Sequence, residues 1–298
     1  MGQETRSGLI TFLSVSRLHI VAIAALGTLT FGWLFTGLHA VSLALIAAID
    51  WFLVNLVNRV VDIPEDRANR IAGTELVARR SRALVVGSVT LLVASFAVVQ
   101  VVEPSLWPLR VAYHLLGLVY NVRLLPWRGG RVRLKELYAV KNTASALGFM
   151  ITVFGYPLVA RAGAVSVAWE YVVAMGVFFF FSELSYEVVY DLRDVPGDEA
   201  AGVPTFPVVH GRRATRWIIY GLLGTSAAAL IAGYAVGAID WAGFVMIVGL
   251  VVQLAAYLRF DARGVTARDC IRLTLTGAAL LAAYNLWVWS GLPLSPWT

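Results

Sequence analysis

The chain has 298 residues, 59% of them hydrophobic and only 14% charged, against about 25% charged in ordinary soluble domains. The net charge is +6, but the basic residues are dispersed between apolar runs, which argues against a nucleic-acid partner and for a membrane protein. A single cysteine, Cys270, excludes an internal disulfide and a thiolate metal cluster.

Nine apolar runs are long enough to cross a bilayer, at 18–37, 40–58, 83–102, 105–122, 137–158, 165–190, 216–236, 241–258 and 273–291. About 20 apolar residues span the hydrocarbon core as a helix, and a helix satisfies its own backbone hydrogen bonds there. The first run has no small-residue cleavage site and reads as a retained span. Arg6 and Arg17 precede or open it. Arg59, Arg67, Arg70, Arg79, Arg80 and Arg82 lie between runs two and three, and Arg123, Arg128, Arg131, Arg133 and Lys135 between runs four and five. Arg193, Arg212, Arg213 and Arg216 follow run six, and Arg259, Arg263, Arg268 and Arg272 follow run eight. All these connections fall on one face, with Arg161 the exception on the other. By the positive-inside rule the N-terminus and these loops are cytoplasmic and the C-terminus is outside. The predicted fold is therefore all-α, a polytopic membrane protein of about nine transmembrane helices bundled around a central cavity open to the cytoplasmic side. Residues 1–298 read as one domain, since no polar connection is long enough to fold alone.

The chain has only 18 acidic residues, and two short stretches repeat one acidic pattern. "DIPED", 62–66, follows run two, and "DVPGD", 194–198, follows run six. Both are Asp-x-Pro-x-Asp, and each is led by further polar groups. Asn58, Asp62 and Asp66 are four apart, and Asp191, Asp194 and Asp198 are three and four apart, so each trio shares a helix face. Oxygen ligands stacked at a helix end suit a hard cation, and Mg²⁺ takes one or two carboxylates plus phosphate oxygens and water. Two facing clusters point to Mg²⁺ ions bridging a diphosphate.

Pro64 and Pro196 qualify the helical picture, because proline is tolerated in a first turn and not in an undisturbed interior. On that ground Asp62 and Asp194 are positioned as N-caps of new turns, and Asp62 with Glu65 fits a capping box. Two capped helix starts bearing solvated acids would account for each motif separately. They would not account for Asn58, Asp191 and the matched placement.

Asn-x3-Asp-x3-Asp after the second run, with Asp-x2-Asp-x3-Asp after the sixth, resembles the UbiA-type intramembrane prenyltransferase superfamily. "YDLRDVPGDEAAGVPTFPVVHG", 190–211, is similar to that family's second motif, and "RLKELYAVKN", 133–142, to its basic segment before the fifth span. The resemblance covers nearly the whole chain. It implies an Mg²⁺-dependent enzyme that transfers an isoprenoid chain from a prenyl diphosphate to an aromatic or lipid acceptor in the bilayer. It also implies metal-site roles for Asn58, Asp62, Asp66, Asp191, Asp194 and Asp198. One departure stands in motif one, where Asn58-Arg59 replaces the family's usual Asn-Asp. Arg59 removes one acid and adds a candidate diphosphate contact.

The chemistry requires stabilising negative charge on a leaving diphosphate. Mg²⁺ serves as Lewis acid and template, and fixed cations in a water-poor site add to it. Lys135 and Lys141, the only two lysines among 24 basic residues, are the leading diphosphate cations. Arg67, Arg123 and Arg193 follow, and Arg17 is a third choice, equally readable as an interfacial anchor. Aromatic faces stabilise a nearby cation, so Tyr186, Tyr190 and the inward members of "FFFF", 178–181, are candidates in run six. Glu183 and Glu187 are ionisable groups inside a span and hence functional candidates. Glu187, four residues before Asp191, extends the polar stripe toward an acceptor pocket, and the proton lost from an acceptor can go to Glu187, to diphosphate or to water. Asp50, Asn55 and Asn142 read more simply as bonds between helices.

Two other readings compete. A terpene cyclase of the same superfamily would ionise the same donor and quench the cation within its own chain. An ion-coupled transporter also uses broken helices, but carriers place their ion ligands near the bilayer midplane, and these acids lie at helix ends.

Overall fold

The computed structural model describes residues 14–127 and 129–293; Arg6 and Arg128 lie outside the described residues. Ten α-helices and one small hairpin follow in order. They are α1 Leu18–Thr36, α2 Val41–Val61, α3 Ile63–Ala68, α4 Thr74–Val102, α5 Trp107–Asn121, β1 Leu125–Trp127, β2 Gly130–Val132, α6 Val140–Ala160, α7 Trp169–Ala201, α8 Phe206–Ala235, α9 Trp241–Asp261 and α10 Ala267–Trp289. The antiparallel hairpin pairs Leu125 with Val132. It leads into a 3-10 turn, Leu134–Glu136.

Among the described residues, eight helices are long and apolar enough to cross a membrane: α1, α2, α4 and α6 to α10. The fourth predicted span differs. Its segment folds as α5, only 15 residues, or about 22 Å at 1.5 Å per residue. Pro104 and Pro108 confine its start, and the chain turns extended at Val122. Arg110 and His114 lower its hydropathy. Both bind Asp50 of α2, Arg110 at 2.6 and 3.0 Å and His114 at 2.9 Å, and the Tyr156 hydroxyl donates to the same carboxylate at 2.6 Å. Asp50 and Arg110 are fully buried, so this charge pair locks α2, α5 and α6 together, as the sequence led us to expect of Asp50.

Several helices run past their apolar segments. α4 begins nine residues before the predicted span, after Gly73 in the left-handed region (φ 84°), so the arginines at 79, 80 and 82 are helical. α7 runs 33 residues, straight through Pro196. The break anticipated at Asp194 does not occur. Nor does Asp62 cap α3 with its side chain; that carboxylate is engaged by Lys135 instead. α8 is interrupted at Gly211 (φ 73°, ψ 167°). A π-helical turn, Met150–Gly155, widens α6, and the Thr152 carbonyl there accepts from the Thr28 hydroxyl of α1 at 3.3 Å.

The protein interior gathers between α1, α6 and α7. Phe31, Phe35, Phe154 and Phe179 pack with ring centroids 4.6 to 6.1 Å apart, and Trp51 stacks on Phe149 at 3.9 Å. Outward faces carry valines: Val86, Val93 and Val101 of α4 are 65%, 65% and 83% exposed. An apolar face of that kind is at rest against lipid. The chain is an integral membrane protein.

Candidate active site

Asn58 ends the polar side of α2. Its amide donates to Asp62 Oδ2 at 2.6 Å and to Asn121 Oδ1 of α5 at 2.8 Å. Its own oxygen accepts from Arg17 at 2.8 Å, and Arg17 also reaches Asn55 at 3.2 Å. Asp62 stands in the joint between α2 and α3. Lys135 Nζ lies 2.5 Å from both Asp62 Oδ1 and Glu65 Oε2. Arg133 backs this pair, 3.0 Å from Glu65.

The second motif repeats this scheme on α7. Lys141 Nζ, from the first turn of α6, lies 2.8 Å from Asp191 and 2.9 Å from Asp198. Asn142 donates to the other Asp191 oxygen at 2.8 Å. Asp194 is gripped by neighbouring Arg193, whose guanidinium lies 4.8 Å over the Tyr190 ring. The Tyr190 hydroxyl shares a 2.6 Å hydrogen bond with Thr274 of α10. Each of the two lysines in the chain thus bridges two carboxylates, one pair per motif.

Both clusters line one cavity of about 450 Å³. One wall is apolar and aromatic, with Ile20, Ile23, Trp51, Tyr113 and Phe149. Asn58, Asp62, Asp66, Asp191, Asp194, Asp198, Lys135, Lys141, Arg193, Tyr190 and Glu187 all reach it, so the structure brings together most of the site read from sequence. Glu187 lies deeper and accepts from the Ser145 hydroxyl at 2.6 Å.

Three expected diphosphate cations lie elsewhere. Arg59 is fully buried and is not among the residues that line the cavity. It ion-pairs with Asp66 and donates to the Ala72 carbonyl at 3.0 Å, so the departure in motif one is an internal counter-ion. Arg67 is exposed and paired with Glu75 at 2.7 Å. Arg123 is exposed and paired with Glu136 at 3.0 Å. Sequence reasoning in turn passed over Glu65 except as a cap, and missed Asn121, Asn69 and Ser145. Asn121 and Ser145 sit on neighbouring helices in no motif spacing, so only the packing reveals them. Glu65 was within reach, being an acid inside "DIPED".

Electrostatics are sharpest at the rim. Burial raises the Asp66 carboxyl above its usual range despite Arg17 and Arg59 nearby. Burial also opposes ionisation of Glu136, but the Arg133 backbone N–H and the guanidinium groups of Arg123 and Arg133 outweigh it and hold that carboxyl at about 2.

Among the described residues no three His, Cys, Asp or Glu side chains converge into a ready-made metal cage. The donor chemistry nonetheless suits Mg²⁺. The motif residues offer carboxylate and amide oxygens and no sulfur, and Mg²⁺ is held by one or two carboxylates with the remaining positions filled by phosphate and water.

A helical membrane protein with two lysine-bridged carboxylate clusters over one apolar-walled cavity is built to handle an anionic headgroup attached to a hydrophobic chain. The UbiA prenyltransferase family model matches residues 18–278, and the chain belongs to that family and is a prenyltransferase enzyme. It is 25% identical over 271 residues to a digeranylgeranylglyceryl phosphate synthase of Methanoculleus marisnigri, covering 88% of this chain and 89% of that protein. It is 27% identical over 279 residues to the chloroplastic homogentisate phytyltransferase 1 of Arabidopsis thaliana, covering 89% of this chain and 66% of that one. The fold matches a UbiA homologue from Archaeoglobus fulgidus solved with DMAPP and Mg²⁺, at TM-score 0.69 and 16% identity over 95% of this chain and 100% of that one. The same homologue with GPP and Mg²⁺ also gives 0.69 and 16%, over 94% and 99% of the two chains.

Proposed function

We propose that this single membrane-embedded domain transfers an isoprenoid chain from a prenyl diphosphate to a hydrophobic acceptor, releasing diphosphate. The observation that carries the reading is the pair of lysine-bridged carboxylate clusters, Asp62 with Glu65 and Asp191 with Asp198, lining a cavity that also has an apolar and aromatic wall. The solved complexes of the archaeal homologue with DMAPP or GPP and Mg²⁺ support it.

Asn58, Asp62 and Asp66 on one side, and Asp191, Asp194 and Asp198 on the other, would hold Mg²⁺. When bound, the metal supplies Lewis-acid stabilisation of the leaving diphosphate. Lys135, Lys141 and Arg193 hold the diphosphate oxygens, with Arg17 beside them, in a site where fixed charge is worth more than in water. The allylic chain lies along the apolar wall, and Tyr190 faces the cationic carbon as it forms. A nucleophilic atom of the acceptor bonds to that carbon while its C–O bond breaks, the electron pair leaving with diphosphate. The proton lost from the acceptor goes to the Glu187 carboxylate. The arginine distribution orients the N-terminus and the motif loops to the cytoplasm; the short α5 returns the chain from Glu103, beside Ser42 and Arg161, to Asn121, beside Asn58, as a ninth crossing that leaves the C-terminus outside.

Purified protein in nanodiscs, given geranyl diphosphate and Mg²⁺ with a lipid extract, should release diphosphate and form a prenylated acceptor. Asp62→Ala and Asp194→Ala should each abolish this. Persistence of Mg²⁺-dependent release in both variants would overturn the site. Release of a cyclic hydrocarbon with no acceptor present would instead establish a cyclase.

A further inference from the structure

Two acids continue the polar stripe of α7 inward from the second motif. Glu187 and Glu183 precede Asp191 by four and eight residues, about 6 and 12 Å along the helix axis. Both line the cavity. Among the described residues Glu183 makes no hydrogen bond and no ion pair, and Glu187 has only the Ser145 hydroxyl as partner. Tyr186 lines the same pocket, and its buried hydroxyl has no hydrogen-bond partner. The cations lie beside the motifs: Lys141 contacts Asp191 and Asp198, and Arg17 contacts Asn55 and Asn58.

An isoprenoid tail lying against these groups would leave the Glu183 carboxyl and the Tyr186 hydroxyl desolvated without partners and Glu187 with the Ser145 hydroxyl alone, which carries a heavy penalty for burying polar groups. A diphosphate, carboxylate or phosphate there would add like charge in a medium of low dielectric. A group rich in hydrogen-bond donors satisfies both constraints, because carboxyl oxygens accept whether or not they carry a proton.

We propose that Glu183, Glu187 and Tyr186 form the recognition pocket for the reacting end of the acceptor. We further propose that this end carries hydroxyl groups and no acid. The inference rests on the transferase reading above and narrows it to uncharged phenols or alcohols. It sets this chain apart from an enzyme whose acceptor binds through an anionic headgroup.

The test uses purified full-length protein in nanodiscs with geranyl diphosphate and Mg²⁺. Two matched probe pairs are offered: 4-hydroxybenzyl alcohol against 4-hydroxybenzoate, and an alkylglycerol against its phosphate. Binding of each probe to the donor-loaded protein is measured by calorimetry, alongside turnover. The uncharged member should bind and react about tenfold or more better than its acidic partner. Glu183→Gln should retain donor affinity and shrink that preference by raising acceptor KM more than it lowers kcat. If the acidic member binds as well or better, or neither member binds, or Glu183→Gln leaves the preference intact, the pocket assignment is overturned while the transferase reading stands. If geranyl diphosphate itself fails to bind with Mg²⁺, the transferase reading fails first.

Discussion

The side chain of Asn69, in the loop after α3, accepts the Gly197 backbone N–H of α7 at 2.8 Å. One hydrogen bond thereby joins the segment following the first carboxylate motif to the middle of the second. Gly197 directly follows Pro196, which has no N–H to give. A Cβ at Gly197 would stand 2.3 Å from Asn69 Nδ2, so any side chain there displaces the clip. We expect Gly197→Ala and Asn69→Ala each to cost about 1–2 kcal/mol of stability and to weaken Mg²⁺-dependent donor binding. The double variant should be little worse than either single one, because both remove the same contact. Thermal melting and donor titration of the three variants check this, and fully additive losses would refute the clip.

Lys141 separates two carboxylates that would otherwise face each other. Its distances to Asp191 and Asp198 are 2.8 and 2.9 Å. Lys141→Met should therefore lower kcat/KM for the prenyl diphosphate by roughly 10²-fold, the scale seen on removing one fixed charge-stabilising donor from an active site. It should also raise the Mg²⁺ concentration needed for half-maximal rate, because the variant lacks one diphosphate-holding cation. Lys141→Arg should recover only part of the loss, since a planar fork does not reproduce a compact ammonium held between two acids. Steady-state kinetics across a Mg²⁺ series measures both effects.

Arg59 behaves as a structural cation. It is fully buried against Asp66 and the Ala72 carbonyl. Breaking a buried pair by removing one partner typically costs about 3–5 kcal/mol, and Arg59→Leu should be destabilised on that scale. Arg59→Leu combined with Asp66→Asn should recover melting temperature while remaining poorly active. Arg67→Ala should be neutral in both respects, because its pair with Glu75 is solvent-exposed and such pairs are worth roughly 0–1 kcal/mol. Melting curves and turnover of these variants separate the two arginines.

That contrast shows what the sequence could and could not convey. The acids were legible because carboxylates are rare in this chain and recur in one spacing. The lysines stood out by scarcity, and each bridges a motif. The arginines were not sortable, because Arg59, Arg67 and Arg193 beside a motif and Arg123 after the fourth run look alike in sequence, and only packing decides which faces the cavity. Helix ends were hidden for a related reason. Hydropathy registers the apolar part of a helix, whereas α4 and α7 continue through polar turns at 74–82 and 191–201. α7 even absorbs Pro196, which by local rules marks a break. α5 shows the opposite: prolines and the Arg110–Asp50 pair hold the helix in the 105–122 segment to 15 residues, shorter than its apolar run suggests.

The hairpin-to-α6 connection offers a test in pH. Glu136 holds Arg123 at 3.0 Å and Arg133 at 2.8 Å, and Arg133 in turn supports Glu65 beside Lys135. The Glu136 carboxyl is held near 2, below its ordinary 4.5. A folded value lower than the unfolded one contributes stability that is fully present above about 4.5 and is lost as the pH falls toward 2. The protein should therefore lose stability through this window more steeply than Glu136→Gln, whose curve should be flatter there and lower at neutral pH. Tryptophan fluorescence of detergent-solubilised protein during urea titration, repeated from pH 2 to 7, gives both curves. Parallel curves would mean that Glu136 does not hold the Lys135-bearing turn in place.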